Sequence, residues 1–200
     1  TAEADGPLTV GDATETLSNI GLFAQMRHDV AEAVSLSYGA RIDGQRFELA
    51  DGSSREDAGI SANAAADVRL AEGLSLNVGG ATVWGGHELS EAALITLNSA
   101  WVYGEPEPAR SWNGRVGLRY EFGDFSLGGA VFYTRIEDVN YILGAARTLS
   151  DVESRGVDAS ASWQGESAYV RINYTYADVQ ENGDPISSTS YYAGRPGGHL

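Results

Sequence analysis

Arg115-Val116-Gly117-Leu118-Arg119-Tyr120-Glu121-Phe122-Gly123-Asp124-Phe125-Ser126-Leu127-Gly128-Gly129-Ala130-Val131-Phe132-Tyr133-Thr134 decides the fold. Val116, Leu118, Tyr120 and Phe122 form one row, against Arg115, Gly117, Arg119 and Glu121. After Gly123-Asp124 the apolar row resumes as Phe125, Leu127, Gly129, Val131 and Tyr133, with Phe132 the one large apolar residue in the opposite row. A side-chain period of two belongs to a β-strand with two unlike faces. The Gly-Asp break between two such runs belongs to a tight hairpin.

Outward from this hairpin the same period recurs. It runs from Ile20 to Val30, Val34 to Ile42, Ile60 to Leu70, Leu74 to Trp84, Val157 to Trp163 and Ala168 to Tyr176. That gives eight strands in four hairpins. Their connections alternate in length: Ala31–Ala33, Glu72–Gly73, Gly123–Asp124 and Gly165–Ser167 are short. Asp51–Asp57, Gly85–Ala109 and Gly144–Asp151 are longer and polar, and Glu181–Leu200 follows the last strand. The expected fold is all-β, an antiparallel up-and-down meander of about eight strands. Residues 1–18 read as a polar loop, 19–180 as the strands, and 181–200 as a trailing loop on the long-connection side.

Three features point to a transmembrane β-barrel. Each alternating run lasts about ten residues, enough to cross a bilayer at a tilt, where soluble strands average about five or six. Short turns on one side and long connections on the other are the asymmetry of outer-membrane barrels. Arg27, Arg41, Arg69, Arg115, Arg119 and Arg171 all fall on the polar rows, where they avoid the ~2–4 kcal/mol cost of a mid-membrane Arg facing lipid. Tyr120, Phe122, Phe125 and Trp163 sit beside the short turns, with Tyr133, Tyr174 and Tyr176 further along, as two aromatic girdles would. Two other readings stay open: a complete small eight-stranded outer-membrane protein with a structural or adhesive role, and a soluble β-sandwich binding module, which also alternates. The terminal stretches read as loops, and an open sheet in lipid would leave unpaired backbone groups at its edges. The expectation is therefore a segment of a larger barrel.

Composition narrows the function classes. The 200 residues carry a formal charge of −15, and every basic residue is Arg. Phosphate contacts need clustered positive charge, so no nucleic-acid partner is expected. With no Cys, a disulfide framework, a thiolate metal site and a thiol nucleophile are excluded. No GxSxG, P-loop or HExxH motif occurs, so no enzyme activity, catalytic residue, cofactor or metal is expected.

Several motifs, in order, resemble TonB-dependent outer-membrane receptors. Asn19-Ile20-Gly21-Leu22-Phe23-Ala24-Gln25 followed by Val34 through Asp43 is similar to the family's "xFxQ … lslxxGxRxD" hairpin. Pro108 through Phe122 resembles "PExSxxxExGxxYxF", with Ala109 in place of the Glu. Phe132 through Asp138 resembles "aFYtrIeD", Ser154 through Asp158 "sxGvE", and Asn173 through Asp178 "sYTYtda". The "FRAPxLxE" pattern of many iron and haem receptors is reduced to Trp84-Gly85-Gly86-His87-Glu88-Leu89-Ser90-Glu91. The resemblance implies a plugged barrel of about 22 strands in the bacterial outer membrane, of which this chain supplies eight. It implies energised uptake of a scarce ligand, first of all an iron chelate (siderophore or haem), with cobalamin also open. The implied partners are outer-membrane lipid, the iron chelate, and the TonB energy-transducing complex acting through a plug that this chain does not contain.

The candidate ligand-binding residues are Trp101, Tyr103, Arg110 and His87, all in or beside the Gly85–Ala109 connection. Connections this long are usually functional or disordered. Exposed aromatics and an Arg could hold a flat anionic chelate by stacking and charge. His87 could ligate haem iron, although a solvated loop His is the commoner case. Trp84 and Trp112 read as girdle or rim anchors, His28 as an interfacial residue, and His199 as uninformative. The carboxylates of Asp51–Asp57 read as a solvated loop tip rather than a Ca²⁺ site, and Glu105 and Glu107, each before Pro, as turn punctuation. The polar-row Arg residues face Asp29, Asp43, Asp67, Glu121 and Asp158 as a charged lumenal wall or as cross-strand ion pairs.

Overall fold

A computed structural model describes residues 16–48, 52–87, 93–95, 101–103, 107–143 and 146–186. The polar stretch 1–15, Glu105 and residues 187–200 with His199 lie outside them. Eight long strands carry the fold: β1 (Thr16–Ala31), β2 (Val34–Glu48), β3 (Ser54–Ala71), β4 (Leu74–Gly86), β7 (Ala109–Phe122), β8 (Phe125–Leu143), β9 (Ala146–Gln164) and β10 (Tyr169–Glu181). β5 (Ala93–Ile95) and β6 (Trp101–Tyr103) form a separate two-stranded ladder, and β11 (Asp184–Pro185) pairs back on β10. The sheet order is β1-β2-β3-β4-β7-β8-β9-β10-β11, every neighbour antiparallel. This is the expected meander, and no helix occurs among the described residues.

Register decides the faces. His28, Leu36, Ala66, Val78, Val116, Val131, Val157 and Tyr176 are linked partner to partner across eight strands, so they share one face. Ser35, Asp67, Asn77, Gly117, Ala130, Asp158 and Thr175 form a neighbouring row on the other. The apolar face has no layer packed on it: Leu22, Ile42, Val131 and Ile172 are at least 55% exposed, and Phe47 is the one buried hydrophobic among the described residues. A sandwich buries that face against a second sheet. Here lipid must cover it.

The apolar band crosses the rows obliquely. The row holding Ala24, Ala40 and Ala62 also holds Trp112, Arg135 and Glu153. Strands tilted against a membrane produce that offset, because a level lipid band meets each strand at a different residue.

The strands are longer than the alternation suggested. β9 begins at Ala146, so Ala146–Asp151, expected within a long polar connection, is strand. β3 begins at Ser54, so most of the Asp51–Asp57 loop is strand as well. The cause lies in the environment: beyond the lipid band neither face must be apolar, and pairing continues without the contrast that marks it in sequence. A bulge between Ile136 and Val139, with Asp138 at φ 59°, bends this extension. The chain following β10 turns at Asn182-Gly183, both with positive φ, to reach β11.

Candidate functional site

The most structured polar cluster lies on the lumenal face at the long-connection end. β3 pairs with β4 only as far as Ala62↔Thr82. Above that point β3 continues on β2 to Glu48↔Ser54, while β4 continues on β7 to Gly86↔Ala109. A seam therefore opens between β3 and β4 where the backbone ladder stops, and ladder groups left without water or a partner would be costly.

Side chains close the seam. The Trp84 amide donates to Ser61 Oγ at 3.0 Å. Gly59 pairs with Asp43 on the lumenal face, and a Cβ at Gly59 would overlap the Trp84 indole. The Trp84 indole thus lies against β3 at Gly59, while its register partner on β7 is Arg110. Gly86, at φ 70°, turns the chain, and a Cβ there would meet the Gln45 amide. The His87 amide then donates to Gln45 Oε1 at 2.6 Å, and His87 Nε2 lies 2.6 Å from Asp57 Oδ2. The His87 ring stacks on Phe47, centroids 5.9 Å apart, and Phe47, Gln45 and His87 are all buried. His87 is 3% exposed, where a solvated loop position was the commoner expectation.

Arg110 closes the seam from the other side. It pairs with Glu137 and shares the outward row of Trp112 and Val116. One of its terminal nitrogens donates to the Ile60 carbonyl and to Thr82 Oγ1, each at 3.1 Å, and its guanidinium lies 6.0 Å from the Trp112 ring. It takes over a strand carbonyl at the point where β4 has left the ladder. Trp112 itself is outward, its indole N–H donating to Glu137 Oε2.

Of the four candidate residues, Arg110 and His87 flank this seam on opposite faces. Trp101 and Tyr103 are placed only by their backbone pairing with Ile95 and Ala93. Gln45, Phe47 and Gly59 belong to the cluster without any mark in the sequence, and Asp57 reads there only as a loop carboxylate, since a seam arises from where two ladders end and not from a local pattern. Asp57 stands in β3 opposite Gln45 rather than at a loop tip. No group of three or more His, Cys, Asp or Glu suited to a metal ion occurs among the described residues.

Elsewhere the lumenal wall is charged and internally paired. Asp43, buried, receives two bonds from Arg41, Nε at 2.6 Å and a terminal nitrogen at 2.5 Å. Asp158 takes Arg115 at 2.6 Å and Thr175 Oγ1 at 2.8 Å, joining β7 to β9 and β10. Arg119 meets Glu121 at 3.0 Å. Two of these three pairs sit two residues apart on one strand, not across strands. On the outward face, Tyr120, Phe122 and Phe125 stack beside the short turn, with centroids 5.2 and 5.4 Å apart. At the opposite end of that face Arg135 joins Glu137, Asp151 and Glu153, and Arg155 joins Asp178. The outward charges thus lie past the apolar band.

Known proteins resemble this chain in the same sense. The family described as "TonB dependent receptor-like, beta-barrel" matches residues 2–197. A haem transporter of Brucella ovis, BhuA, is 28% identical over 177 residues, covering 86% of this chain and 26% of its own length. The FrpB iron transporter of Neisseria meningitidis superposes with a TM-score of 0.69 at 15% identity, covering 90% of this chain and 28% of that one. The ferripyoverdine receptor of the outer membrane of Pseudomonas aeruginosa gives a TM-score of 0.69 at 15% identity, covering 86% and 24%. The chain spans about a quarter of the length of these relatives.

Proposed function

The chain belongs to the TonB-dependent receptor-like β-barrel family, and from that membership we propose that it forms one arc of the wall of a receptor importing an iron chelate, with haem the first ligand to test. Barrels of this family are bacterial outer-membrane proteins, and the sheet has the two faces that this location demands: an uncovered apolar one and a charged one. The observation that carries the proposal is the family match over nearly the whole chain, together with the similarity to a haem transporter over 177 residues. Uptake would be driven by the TonB complex acting on a plug within the barrel.

Trp101 and Tyr103, on the β5–β6 ladder, are the proposed stacking residues for the chelate. A flat ring system gains about 0.5–1.5 kcal/mol from each well-placed aromatic partner beyond its area burial. Arg110 and His87 are proposed to serve the wall on which that ladder stands.

Growth on defined iron sources tests the function. A strain lacking the full gene, in an iron-restricted medium, should lose growth on haemin and regain it with the gene in trans. Loss of growth on a ferric siderophore alone would move the ligand to that class. Unchanged growth on haemin and on ferric siderophores would overturn the iron-chelate reading.

A further inference from the structure

The β3–β4 seam has a consequence for the long connection that leaves it. Residues 88–108 follow His87 in the chain, so the start of that connection is set by what holds Trp84–His87. Beyond the backbone ladder that pairs Trp84 and Gly86 with β7, five contacts lead to β2 and β3: Trp84 over Gly59, the Trp84 amide on Ser61, the His87 amide on Gln45, the His87 ring to Asp57, and the same ring on Phe47. None of them is a strand-ladder bond. We propose that His87, with Asp57 and Gln45, is a latch that fixes the root of the 88–108 connection on the lumenal side of the wall, and that His87 acts as a positioning residue for ligand capture rather than as a ligand to iron.

The chemistry separates the two roles. A ligand to iron must present an unblocked ring nitrogen to the lumen. Here Nε2 faces Asp57 Oδ2 at 2.6 Å, the ring lies against Phe47, and the residue is 3% exposed. Gly86 at φ 70° is the pivot, since any other residue would be strained there and its Cβ would strike Gln45. The neighbouring Asp43 is already held by Arg41, so it does not compete for His87. A latch of side-chain bonds is also easier to release than a ladder, because opening it breaks few bonds and leaves both flanking ladders intact.

This proposal deepens the receptor reading and rests on it for its ligand arm alone. The full-length receptor, solubilised or in nanodiscs, is prepared as wild type, Asp57→Ala, His87→Ala and His87→Gln. Amide hydrogen exchange of the peptide spanning residues 84–90 reads the latch without any ligand. Exchange should rise about five- to tenfold in Asp57→Ala and His87→Ala, the effect of losing one net hydrogen bond. It should stay near wild type in His87→Gln, whose amide can still reach Asp57. The Asp57→Ala/His87→Ala double variant should add little to either single one, because both remove the same contact. Haemin titration is the second arm: affinity should fall several-fold in His87→Ala, with the Soret band of bound haemin unshifted, and recover in His87→Gln. Exchange unchanged in both alanine variants would overturn the latch, and raised exchange with unaltered haemin affinity would overturn the positioning role. A shifted Soret band with lost binding in His87→Gln would make His87 an iron ligand and overturn the proposal. A wild-type receptor that binds no haemin refutes the haem reading, and the exchange data still decide the latch.

Discussion

At Gly59 and Asp43, adjacent on one register pair, the lumenal wall is tuned residue by residue. Gly59 leaves room for the Trp84 indole, and Asp43 is buried against Arg41. Replacing Gly59 with Leu forces a large side chain into filled space, and overpacking of this kind costs about 1–3 kcal/mol. The expected outcome for Gly59→Leu is a urea midpoint lowered accordingly, with red-shifted Trp emission as the indole is displaced; unchanged stability and emission would show that the indole does not occupy this site. None of this was legible in the sequence. Gly59 carried no mark in the sequence, and Trp84 read as a girdle or rim anchor, because the reading extended the alternation of β4 through the point where its pairing with β3 ends.

At the scale of the strands, sidedness is the sharp claim, since a one-residue slip would reverse every face. Leu36, Ala64, Leu118 and Ile172 face lipid, while Ser37, Asn63, Arg119 and Asn173 face the lumen. Spin labels at the first set should show low water access and high access to apolar oxygen, with the opposite at the second. Leu118→Arg should cost about 2–4 kcal/mol in vesicle unfolding equilibria, the price of a cation near the bilayer midplane. Ser160→Arg, on the lumenal face of β9, should change stability by less than about 1 kcal/mol. Equal effects at the two sites would refute the assignment. These strands were legible because lipid imposes its demand on every second residue of the crossing. The extension of β8 and β9 past Ile136 was not, since outside lipid Arg135, Glu137, Glu153 and Arg155 can sit on the outward face.

For the whole molecule, the sheet is an arc, with β1 and β10 not paired with each other among the described residues. Backbone groups on such edges need partners in lipid, and the chain spans about a quarter of the length of its relatives. Deleting residues 88–108 from the full-length receptor should weaken capture of haemin while leaving assembly intact, read as an unchanged heat-modifiable shift on gels. Capture that survives the deletion would make the connection a cover only, and would remove Trp101 and Tyr103 from the proposed site.

The sequence by itself determined the meander, the identity of the two faces and the family, because a period of two, sustained across a bilayer, is a local property of each strand. It also marked the 85–109 connection as the functional candidate, through its length and its aromatics. Only the tertiary structure decided where His87, Trp84 and Arg110 point. Their partners, Asp57 and Gln45, Gly59, and the Ile60 carbonyl, lie at least 25 residues away in the chain. They meet because one ladder ends before its neighbours do, and that stopping point is set by the pairing of four strands at once.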